Sequence, residues 1–135
     1  MKPFELDSHM LTLRGVFYPT GHILAMLPDQ PQAERAAQAI VKEGISGDAV
    51  SLLSPDIILG PIARTVGSGD MPFPSPGSEG ATVHQLTQHA AQGEWGVLIH
   101  APKTPACACV LKALKGLPVT MAERYRPLVI EDLET

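Results

Sequence analysis

A chain of 135 residues is one domain's worth of sequence, and its 44% hydrophobic and 18% charged residues are those of an ordinary globular protein. A net charge of −4 and an aromatic content of 4% argue against a nucleic-acid partner, and no apolar run approaches the ~20 residues that cross a bilayer. Glu5 and Asp7 stand where a secretory leader has its apolar core, and the two cysteines frame no disulfide scaffold; the chain therefore reads as cytoplasmic, with reduced thiols and no membrane partner.

In chain order, residues 1–10 form an N-terminal tail and a single domain spans 11–133, with halves at 15–59 and 95–133. Residues 11–18 predict a short extra strand, Pro19-Thr20-Gly21 a turn, and 22–27 a buried strand. Pro31 suits the first turn of a helix, where its missing N–H costs nothing. Ala33, Ala36, Ala37, Ile40 and Val41 then follow at helical spacing, and Gly44 supplies a left-handed end. The next strand runs over 49–53 and resumes at 57–59 beyond Pro55.

Residues 60–80 are rich in glycine and proline and predict a long exposed loop. Thr82 and Gln85 have the spacing of a capping box, which opens a short helix over 82–92 with an apolar stripe of Val83, Leu86 and Ala90. The first pattern then recurs. Residues 97–100 form a strand, and Pro102-x-x-Pro105 repeats the Pro28-x-x-Pro31 junction. In the register that puts Pro31 on Pro105, the stripe Ala33, Ala36, Ala37, Ile40 falls on Cys107, Val110, Leu111, Leu114. Gly116 closes the second helix and 119–125 supply the final strand. Two strand–helix–strand halves in tandem predict an α/β (α+β sandwich) domain: a ferredoxin-like split βαβ sheet with its helices on one face.

Positive charge concentrates late in the chain, in Lys103, Lys112, Lys115, Arg124 and Arg126, which makes Arg124 and Arg126 candidate ligands for an anion. In the loop, Gly67-Ser68-Gly69 offers backbone N–H groups beside Arg64, so Arg64 and Ser68 join that candidate set. His100 upstream of Cys107-Ala108-Cys109 combines imidazole with thiolates, a donor set suited to a borderline metal. Helix geometry weakens the pairing, because residues two apart point about 200° away from one another, and the repeat places Cys107 on the buried stripe. His22 and His100 fall on adjacent strands of such a sheet. RNA-binding domains of this topology stack bases on strand aromatics, and residues 23–27 and 97–99 have none.

Gly15-Val16-Phe17-Tyr18, Ala33-Glu34-Arg35-Ala36, the run from Val50 to Pro55 and the run from Val129 to Leu133 together resemble bacterial general-stress-protein-like domains. The resemblance implies a ferredoxin-like fold and a stress-associated context, and it implies no catalytic residue or cofactor. The expected function is a non-catalytic binding or regulatory module. It works as a homo-oligomer, because such a sheet leaves one face and two edges to cover. Loop 60–80 orders around a small anionic ligand held by Arg64, Ser68, Arg124 and Arg126. One alternative is a metal- or heme-binding protein that uses His100 with Cys107 or Cys109. The other is a small enzyme with an open sheet-face cleft, for which no residue stands out as acid or base.

Overall fold

The computed structural model describes residues 1–12, 15–66, 79–127 and 129–133. Its centre is a five-stranded antiparallel sheet in the order β2-β3-β1-β4-β5, made of β1 (His22–Leu27), β2 (Val50–Leu53), β3 (Trp95–His100), β4 (Met121–Arg126) and β5 (Val129–Asp132). Helix α1 (Gln30–Lys42) joins β1 to β2 with β3 lying between them, and α4 (Thr104–Leu114) joins β3 to β4 with β1 between them. Central β1 is buried at every residue after His22, as an unbroken apolar run requires.

The two faces of the sheet carry separate cores. Ile23, Ala25 and Leu27 pack with Val97 and Ile99 against Ala33, Ala36, Ala37 and Ile40 of α1 and Cys107, Val110 and Leu114 of α4. The helix stripes that the internal repeat aligned are therefore the ones that meet the sheet. Both helices also begin one residue before their proline, at Gln30 and Thr104. Asp29 caps α1 by accepting from the Gln32 N–H at 3.0 Å, and Gly44 leaves the helix at φ +106°, a conformation a side chain would strain.

The opposite face corrects the expectation of helices on one face only. Leu24, Met26, Leu98 and Tyr125 are covered by Ile58, Ile62, Val83, Leu86 and Ala90. These come from the segment between the halves, which contains α2 (Pro55–Ile57), a π turn (Ile58–Ile62), a 3-10 turn (Ala63–Thr65) and α3 (Glu79–Ala91). The strand expected at 57–59 and the loop expected from residue 60 are thus helical as far as Thr65. Ser54 accepts from the Ile57 N–H at 3.3 Å and Pro55 takes the first helical position, so Ser-Pro here starts a helix. Helix α3 begins before Thr82, which is a buried interior residue and not its cap.

Further differences from expectation concern the ends of the chain. The described residues of 11–18 contribute an isolated bridge between Leu11 and Phe17 in place of a strand. The tail at 1–10 is packed: Phe4 and Leu6 join the second core, and the Lys2 N–H donates to the Val50 carbonyl at 3.0 Å along the outer edge of β2. Strand β4 starts two residues later than expected, and β5 follows it as an additional edge strand. No helix among the described residues is long and apolar enough to cross a membrane.

Candidate functional site

The alternation of β4 turns Ala122, Arg124 and Arg126 toward the side of the sheet that carries α4. At that end the chain leaves β3 through Pro102 and enters α4 at Thr104, so the start of the helix comes down beside the end of β4. The result is a recess of about 560 Å³ with Lys103, Arg124 and Arg126 in its wall. No carboxylate among the described residues lines it. Arg124 is 17% exposed and reaches Glu131 of β5 at 3.8 Å, while Lys103 and Arg126 are exposed.

The internal repeat gives this recess a second property. In the register that matches the two prolines, the position of Asp29 is taken by Lys103. Asp29 satisfies a first-turn N–H of α1, whereas Lys103 at the same place makes no side-chain cap on α4. The partial positive charge at the start of α4 is thus left open and adds to that of Lys103 and Arg126, beside an Arg124 shared with Glu131. Such an arrangement can hold a small anion by charge and by backbone N–H donors together.

A second recess, of about 530 Å³, lies over the other face near the β1–β3 ladder and is roofed by the N-terminal segment. His22 and His100 are direct cross-strand partners with ring centroids 4.8 Å apart, and both line it. His22 Nδ1 lies 3.1 Å from the Thr20 carbonyl. Burial holds the His22 ring below its ordinary pKa, and the neighbouring His100 pushes the same way against the hydrogen bond to Thr20. Asp7 and His9 stand at the rim.

The residues nominated from sequence are therefore distributed unevenly. Arg124 and Arg126 share one recess. Arg64 is exposed on the 3-10 turn and does not line it. Ser68 and its neighbouring glycines lie outside the described residues. His100 meets His22 and not the cysteines: Cys107 is 5% exposed within the core beneath α1 and α4, and Cys109 is half-buried on α4. No group of three His, Cys, Asp or Glu side chains able to hold a metal occurs among the described residues. Lys103 was noted from sequence only as part of a basic stretch; the signal for its role was its alignment with the capping Asp29. The chain matches no protein-family model, no curated protein and no solved structure.

Proposed function

We propose that this chain is a non-catalytic binding module of ferredoxin-like topology that takes a small anion in the recess formed by Lys103, Arg124 and Arg126. The strand order and the two crossovers support the topology. The observation that carries the function is a concave wall with three cations and no carboxylate among the described residues, placed at an uncapped helix start. Stress-associated regulation, as the resemblance implies, is part of this reading. A homo-oligomer fits the edges: the tail covers β2, whereas among the described residues β5 has a neighbour on one side only and shows Val129 at 55% exposure. A second copy pairing along β5 would cover that edge.

The test is calorimetric titration with inorganic pyrophosphate and, separately, with a tricarboxylate. Each exposed cation removed, in Lys103→Ala or Arg126→Ala, is expected to weaken binding by about 1 kcal/mol, roughly fivefold. Absence of binding by either anion at low ionic strength, or binding indifferent to both substitutions, rejects the reading. Native mass spectrometry of the wild type and of Val129→Lys tests the oligomer.

A second reading is favoured by the imidazole pair. His22 and His100 could present two nitrogen donors to a borderline divalent metal, with solvent completing its coordination. Zinc titration of the wild type and of His22→Ala decides it; equal uptake by both sinks the idea.

A further inference from the structure

Across β4 from the basic recess, the alternate residues build a site of opposite charge. Glu123 stands directly opposite Asp132 in the β4–β5 ladder. It is 5% exposed, and its Oε2 has no donor among the described residues. Burial in the first place, then a hydrogen bond with Asp132 and that residue's charge, push the Glu123 carboxyl up to about 8. Two facing carboxyls in such a place hold one proton between them.

The pair lies in a recess of about 440 Å³ beside α3, whose wall includes His89, Thr120, Met121 and Leu133. Behind that wall Glu94 is engaged through Oε1. Its Oε1 lies 2.8 Å from His89 Nδ1 and also accepts from the Thr120 hydroxyl. Glu123 Oε2 is accordingly the one buried carboxyl oxygen among the described residues that lacks a donor. No lysine, arginine, phenylalanine, tyrosine or tryptophan among them lines the recess.

These features specify the ligand. Two carboxyls ask for positive charge, and Oε2 asks for an N–H donor. A quaternary ammonium offers no such donor and would need an aromatic cage that the wall lacks. A hard cation takes more oxygen donors than these two carboxyls supply, and no group of three metal-ligating side chains occurs among the described residues. Met121, on the same face of β4 as Glu123, offers an apolar surface for a short stem. We propose that this recess binds a small primary amine as its ammonium ion, with the N–H groups donating to Glu123 and Asp132 and the alkyl stem lying on Met121. Binding exchanges the proton of the carboxyl pair for the ligand's charge, and the displaced proton goes to solvent. The other titratable groups around Glu123 are His89 on α3, Glu94 before β3, Asp132 on β5 and Tyr125 on β4 itself. The buried Tyr125 hydroxyl is pushed up and stays neutral throughout.

The proposal rests on none of the cations of the basic recess, so the two readings fail separately. Calorimetry with n-butylammonium in two buffers of different ionisation enthalpy measures the proton released on binding. Near pH 7 the wild type is expected to release close to one proton per ligand, and the affinity should rise as the pH approaches about 8. Glu123→Gln should abolish the release and weaken binding by roughly tenfold or more. Asp132→Asn, at an exposed strand position, should weaken binding without unfolding the chain. Tetramethylammonium at the same concentration should not bind. Lack of binding by butylammonium, binding without proton release in the wild type, or equal binding of the two ammonium ions overturns the proposal, and each is read on the unmutated protein.

Discussion

Glu123→Gln also tests the buried carboxyl pair through stability alone, without any ligand. In the folded protein Glu123 keeps its proton up to about 8, whereas the unfolded chain releases it near its ordinary value of 4.5. Between those values the folded state binds more protons than the unfolded one, so stability falls as pH rises through the window. The contribution is fully present below the lower value and lost above the higher one. The whole displacement sets an upper bound on the order of 5 kcal/mol. Asp132 is exposed at the sheet edge and water there screens part of its charge, which brings the expected loss to roughly 2–3 kcal/mol. Glutamine has nearly the same shape, loses no proton, and can donate its amide to Asp132. The variant should match the wild type near pH 5 and exceed it by roughly 2–3 kcal/mol near pH 8.5. Urea unfolding followed by Trp95 fluorescence at several pH values measures this. A stability difference that stays constant across the window refutes the proton-sharing argument.

Four further outcomes follow from the packing. Ile62→Ala should destabilise by about 2–5 kcal/mol in chemical denaturation, because Ile62 is fully buried against the sheet; a surface loop at this position would cost almost nothing. Gly96→Ala should cost about 1–3 kcal/mol by the same assay, since a Cβ there would sit 3.2 Å from Met26 Sδ and 3.3 Å from both Leu24 Cδ1 and Leu53 Cβ. Lys103→Asp should stabilise the fold by about 1 kcal/mol by giving α4 the cap that Asp29 gives α1, while eliminating pyrophosphate binding. In the native protein an alkylating reagent should modify Cys109 and leave Cys107 until unfolding, as read by mass spectrometry.

What could be read from sequence was whatever depended on period and repetition. The apolar spacing from Ala33 to Ile40 and its echo from Cys107 to Leu114 located both helices and the core residues they bring to the sheet. The same register placed Cys107 on the buried stripe, where the structure has it. Glycine and proline were less informative between the halves. Pro55 and Pro61 suggested breaks in the chain, yet Pro55 stands in a first turn where no N–H is needed, and Pro61 sits inside a wide turn that keeps Ile58 and Ile62 on one side. Arg124 and Arg126 were legible because charge on alternate strand residues shares a face. The Glu123–Asp132 apposition was hidden because it needs β5 and a cross-strand register, and neither follows from local pattern. That His22 and His100 lie on adjacent strands did follow once the halves were placed in one sheet, whereas their direct opposition is a matter of register.

The strand order also bears on how the chain reaches its native state. Neither β1 and β2 nor β3 and β4 are neighbours, so every ladder among these four strands joins one half to the other. A growing polypeptide that has emerged only through β2 holds two strands with nothing to zip against. Its apolar β1 waits for partners that leave the ribosome far later, a topology that favours slow, late cooperative assembly. A chain cleaved between the halves should therefore give two fragments that are unstructured apart and regain the sheet only when mixed.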